Sequence, residues 1–160
     1  MKKLVIYYSH DGNTKFIAET IAREINADIT ELKTKKTMNA SGLMKVGWGV
    51  RQLVSQSEPV LCAMEKNPTD YDLIIIGSPV WTYTFAPPIR TFLKNYSMLG
   101  KKIGLFCCHG GQKGKTLENM KKLLDGNMII GECEFLEPLS YEKENNKKKA
   151  IVWAKKIVNE

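Results

Sequence analysis

Residues 4–15, LVIYYSHDGNTK, decide the fold. The apolar run Leu4 to Tyr8 shows no alternation, so the strand it forms is buried on both faces, as in the middle of a parallel sheet covered by helices. It empties at once into a short turn holding Ser9, Gly12, Asn13 and Thr14. Gly12 permits a backbone conformation that residues with a Cβ avoid, and Ser9, Asn13 and Thr14 carry side-chain donors. A helix beginning near Asn13 adds its positive dipole end, so the turn suits a phosphate. Local chemistry alone is equally consistent with a plain capped strand-to-helix turn.

The same pattern recurs downstream. Phe16, Ile17, Ile21 and Ile25 give residues 13 to 26 the stripe of an amphipathic helix, and ADITELKT (27–34) alternates as a strand near an edge would. Lys33 to Ala40 reads as loop. Ser41 to Gln56 returns to helical spacing, with Ser41 as N-cap and with Gly42, Gly47 and Gly49 weakening it. Pro59 to Asp70 is a connection.

YDLIIIGSPVW (71–81) is then a second uninterrupted strand, expected to end at Gly77 and Ser78. Pro87 and Pro88 open a helix through Ile89, Phe92, Leu93 and Tyr96. A third such strand, Ile103 to Cys108, ends in Gly110 and Gly111 and precedes a helix with Leu117, Met120, Leu123 and Leu124. Asn127 to Phe135 and Glu142 to Val158 supply a last strand and helix. Five βα units with no dividing linker predict one α/β domain over residues 1–160, with a parallel sheet and helices on both faces. Ligands of such sheets gather beyond the carboxyl ends of the strands, where three of these strands end in Gly-bearing turns.

Composition narrows the function classes. The 160 residues hold no run approaching the roughly 20 apolar residues of a membrane span, and MKKLVIYYSHDG turns polar too soon for a signal peptide, so a cytoplasmic location is expected. Cys62, Cys107, Cys108 and Cys133 show no metal-ligand spacing, which disfavours a metal site or a disulfide framework. The neighbours Cys107 and Cys108 invite a vicinal disulfide, but consecutive strand residues point to opposite faces. A net charge of +7 favours an acidic partner. The lysines are scattered without interleaved aromatics, so solvated helix faces explain them better than nucleic-acid binding. HGGQKGKT (109–116) imitates a nucleotide-hydrolase phosphate loop, but its first required glycine is His109. No G-x-G-x-x-G and no Ser/His/Asp set are present.

Taken together, SHDGNT (9–14), SPVWTYTFAPP (78–88) and CHGG (108–111) resemble the three cofactor loops of the flavodoxin family, and the resemblance covers essentially the whole chain. It implies a doubly wound five-stranded sheet in the order 2-1-3-4-5, a short-chain-like fifth strand and bound FMN. By this resemblance Ser9, Gly12, Asn13 and Thr14 hold the phosphate, and Asp11 stands where a hydroxyl is usual. Asp11 is expected to turn outward onto its own backbone. His10 either replaces the lost donor or is an exposed loop histidine. In the second loop, Pro79 and Val80 lead into Trp81, placed to stack on the flavin ring, with Thr82, Tyr83 and Thr84 lining the same loop. Cys108, His109, Gly110 and Gly111 would approach the pyrimidine side, with His109 facing either ring or solvent.

The chemistry would then belong to the flavin, with no catalytic side chain required. Three functions follow: an electron carrier between redox partner proteins with acidic docking surfaces; an FMN-dependent NAD(P)H oxidoreductase of quinone or nitro reductase type; or a binding module that has lost the cofactor because of Asp11. For the second, the segment Lys35 to Pro68 is long enough to cover a nicotinamide pocket, with Trp48 as its wall or as a core residue.

Overall fold

A computed structural model describes residues 1–36 and 53–160. Trp48 and most of the helix expected over Ser41 to Gln56 lie outside the described residues. The elements run β1 (Lys3–Tyr7), α1 (Asn13–Glu24), β2 (Asp28–Glu31), β3 (Leu73–Trp81), β4 (Thr84–Phe85), α2 (Pro87–Asn95), β5 (Lys102–His109), α3 (Thr116–Lys122), β6 (Met128–Leu136) and α4 (Lys143–Val158).

The strands pair in the order β2-β1-β3-β5-β6, every neighbouring pair parallel, and β4 adds antiparallel to the end of β3. With the short β4 set aside, this is the expected 2-1-3-4-5 order. Alternation within each strand divides the core in two. Leu4, Ile6, Ile74, Ile76, Ile103 and Leu105 face Ile89 and Phe92 of α2 and Leu117 and Met120 of α3. Val5, Tyr7, Leu73, Ile75 and Phe106 face Ile17 and Ile21 of α1 and Trp153 and Ile157 of α4. Both faces are therefore covered, which is why the strands carry unbroken apolar runs.

Most expected boundaries move by a few residues, and two of the shifts bear on the site. β6 is displaced by one residue, Met128–Leu136, and its register against β5 shifts by one residue after Ile129. β3 does not stop at Gly77 and Ser78: Pro79 still pairs in register with Cys108, and the strand continues to Trp81 before folding back on β4. Trp81 is therefore the last residue of a strand and not part of an open loop. Gly77 is required by packing, since a Cβ there would come within 2.1 Å of the Phe106 ring.

Candidate functional site: three loops at the carboxyl ends of β1, β3 and β5

The first loop, Ser9 to Asn13, is held by its own side chains. Gly12 sits at φ +92 and is the N-cap of α1, so no side chain caps that helix. Its N–H donates to Ser9 Oγ at 3.2 Å, which leaves the Ser9 hydroxyl proton free to donate elsewhere. Asp11 turns back as expected: its carboxylate accepts from the Asn13 N–H at 3.0 Å and from Asn13 Nδ2 at 2.9 Å. That arrangement removes the Asn13 N–H from the donors at the helix start. The other end of the Asn13 amide is also engaged, because Oδ1 accepts from the Leu139 N–H at 3.0 Å. Asn13 is thus a brace between the first loop and the turn after β6.

Thr14 is wholly buried, and its hydroxyl has no hydrogen-bond partner. The Cys108 thiol is its polar neighbour: the Thr14 side chain favours the ionised thiol, and burial opposes it more strongly. An uncapped helix start above an orphaned hydroxyl is a donor set without an acceptor, which fits an anion better than a closed turn.

Trp81 joins the second loop to the first. Its ring lies edge-on to Tyr8, 5.9 Å between centroids, and edge-on to His10, 6.1 Å away. His10 is an exposed loop residue. The two residues between β3 and β4, Thr82 and Tyr83, both have positive φ, +52 and +61. Positive φ at both central positions marks a two-residue hairpin turn that normally selects Asn and Gly, and a β-branched threonine there is strained. Strain of this kind persists only where surrounding structure fixes it. Here Ser78 Oγ accepts from the Ala86 N–H at 2.9 Å, and the Tyr83 carbonyl accepts from the Lys115 N–H at 3.0 Å. Asn119 Nδ2 donates to Thr84 Oγ1 at 3.1 Å. Gly114, at φ +55, allows this seating, since a Cβ would lie 2.6 Å from the Tyr83 carbonyl oxygen. Tyr83 itself is half exposed.

In the third loop, Cys108 packs into the core on the α1 and α4 side, so only its backbone is available to a ligand. Cys107 points to the opposite core and both thiols are free. Burial pushes the Cys107 thiol up to about 12 and holds the Cys108 thiol well above its ordinary range, which makes both poor nucleophiles. The solvent-facing alternative for His109 is overturned: its side chain is only 9% exposed, with Nε2 3.1 Å from Glu134 Oε2. His109 Nδ1 is buried without a partner. Partial burial raises the Glu134 carboxyl, but Lys113, 3.1 Å away, and His109 outweigh it and hold the group below the usual glutamate range. The turn after β6 is clamped from behind by buried Asn146, whose Nδ2 donates to the Leu136 and Tyr141 carbonyls.

Glu134, Leu139 and Asn146 were not among the residues expected at the site. Their partners lie 25, 126 and up to 10 residues away, and no local pattern marks them. Among the described residues no group of three or more His, Cys, Asp or Glu is placed to hold a metal. Nor is any helix among them long and apolar enough to cross a membrane.

A doubly wound parallel sheet of this order, with its loops gathered beyond β1, β3 and β5, defines a flavodoxin-like flavoprotein fold. The chain belongs to the flavodoxin family, whose profile, described as Flavodoxin, matches residues 2–148. It is 30% identical over 145 residues to an NAD(P)H dehydrogenase (quinone) of Geotalea daltonii, covering 81% of this chain and 70% of that protein. An uncharacterized protein of Archaeoglobus fulgidus is 28% identical over 66% of this chain and 64% of its own length, so the chain spans about two thirds of these curated relatives. Among solved structures, a flavoprotein of Lactobacillus acidophilus in complex with FMN superposes with a TM-score of 0.69 at 29% identity, over 89% of this chain and 97% of that one. A flavodoxin of Streptococcus pneumoniae TIGR4 shares the fold, with a TM-score of 0.62 at 16% identity over 99% of each chain.

Proposed function

We propose that this chain binds FMN across the three loops and carries electrons between redox partner proteins in the cytoplasm. The observation that carries this reading is the meeting of Trp81 with Tyr8 and His10, beside an uncapped α1 and the unpartnered Thr14 hydroxyl. The complex of the Lactobacillus acidophilus relative with FMN supports the identity of the ligand.

In this reading the Ser9 and Thr14 hydroxyls and the free N–H groups at the start of α1 hold the phosphate, with Gly12 giving the approach and Asn13 bracing the loop. Trp81 and the turn Thr82 to Thr84 flank the ring and exclude water from it, and His109 to Gly111 border its pyrimidine edge. FMN supplies one- and two-electron redox chemistry; the protein orients it and sets its electrostatic surroundings. Tyr83 is 54% exposed and Leu139 38%, which leaves an apolar rim for contact with a partner. The +7 charge favours an acidic one.

A second reading, an oxidoreductase fed directly by NAD(P)H, is favoured by the name of the Geotalea daltonii relative. Titration of the purified protein with FMN, followed by flavin absorbance and fluorescence, tests the cofactor. Saturable quenching is expected, and its absence at micromolar FMN refutes the reading. Rapid mixing of the loaded protein with NADPH then separates the two: a carrier stays oxidised on the time scale of turnover, and a reductase bleaches.

A further inference from the structure

Against the strained hairpin lies an open cleft with two lobes of about 460 and 440 Å³. The lobes share Gln56, Arg90 and Asn119. One is walled by the hairpin residues Thr82 to Thr84 together with Lys115, the other by Lys94, Lys122 and Glu58.

The charge of the cleft is one-sided. Among the described residues four cationic side chains face a single carboxylate, and that carboxylate, Glu58, is already ion-paired with Lys94. Arg90 sits where the lobes meet. Its guanidinium lies 4.6 Å from the centre of the Phe85 ring, its Nε is buried without a hydrogen-bond partner, and among the described residues it forms no ion pair. Burial pulls the guanidinium below its ordinary range, and the more distant Glu58 only partly opposes this. A half-buried fixed cation with planar donors and no anion is costly to keep unless something supplies the anion. Phosphate groups match the guanidinium fork and the flanking lysines. The neighbouring Asn119 amide already fixes the hairpin through Thr84, so an occupant would touch the structure that positions Tyr83.

We propose that this cleft binds the phosphate groups of a nucleotide, and that the nucleotide is the NADPH of the second reading above. Binding there would lay the remainder of the dinucleotide along the hairpin that borders the proposed flavin site. The inference rests on the reductase reading, but its test does not require turnover.

The test is binding of NADPH to the FMN-loaded protein, measured by calorimetry under anaerobic conditions and by coenzyme fluorescence, with inorganic pyrophosphate as competitor. Saturable binding that pyrophosphate displaces is expected. Arg90→Gln should weaken it about tenfold or more, the effect of losing a charge-assisted contact. Lys115→Gln with Lys122→Gln, two exposed positions, should weaken it without touching the core. FMN affinity and near-ultraviolet circular dichroism of all variants should match the parent, which separates failure of this site from failure of the flavin site or of folding. NADPH binding that neither the Arg90 nor the double lysine variant alters, or that pyrophosphate does not displace, overturns the proposal. So does the absence of NADPH binding at millimolar concentration by a protein that still takes up FMN.

Discussion

Asp11 is the residue of the first loop least suited to a phosphate, and replacing it should tighten FMN binding. Its carboxylate is exposed and turned back onto Asn13 by bonds of 3.0 and 2.9 Å, so it acts through solvent. Two unit charges about 4 Å apart in water interact by about 1 kcal/mol, and a phosphate dianion doubles this at closest approach. Screening at physiological ionic strength removes about half. Removing the charge is therefore worth about 1 kcal/mol, or about fivefold in affinity. Asp11→Asn keeps an oxygen for the Asn13 N–H but gives up the exposed bond from Asn13 Nδ2, so that gain or slightly less is expected. Asp11→Thr adds a hydroxyl donor worth about 1 kcal/mol but holds the turn less firmly, so about tenfold is expected. Fluorescence titration with FMN at about 10 mM and about 1 M salt, between which the Debye length falls from about 30 to about 3 Å, checks the mechanism. The advantage of Asp11→Asn should nearly vanish at the higher salt, and that of Asp11→Thr should fall to the part its hydroxyl supplies. Equal or weaker binding by both, or an advantage independent of salt, would refute the electrostatic argument.

Gly77→Ala should lower the urea midpoint by an amount equivalent to about 3 kcal/mol or more, because its Cβ meets the fully buried Phe106 ring. Glu134 is held below the ordinary glutamate range, so its contribution to stability is complete above about pH 4.3 and disappears as pH falls through its lower folded value. Acid denaturation of Glu134→Gln should accordingly show a shallower slope in that window than the parent. Thiol titration of the native protein near pH 8 should give fast reaction at exposed Cys62 and none at Cys107 or Cys108, whose burial keeps them protonated.

The sheet was legible because its central strands are buried on both faces and say so in unbroken apolar runs such as Leu73 to Ile76. The turn that ends β1 was legible at Gly12, whose φ of +92 glycine adopts at little cost. The hairpin at Thr82 and Tyr83 was not, since its backbone conformation normally advertises itself through Asn-Gly, and here tertiary bonds from Ser78, Lys115 and Asn119 impose it. Pro79 concealed the true length of β3, because proline inside a paired strand ordinarily argues against one. The fate of His109 depended on Glu134 across a neighbouring strand, and pairings of that kind leave no trace in local spacing. Arg90 was likewise invisible as a candidate, because its lack of a counter-charge is a property of the assembled surface.

The bond from the Leu139 N–H to Asn13 spans 126 residues. A chain leaving the ribosome presents its first loop early, yet that loop gains its brace only after β6 and the turn beyond it have been made and packed. Flavin capture should therefore wait until residue 139 has emerged and packed, and a chain arrested before it should take up the cofactor poorly even with every residue of the first loop already in place.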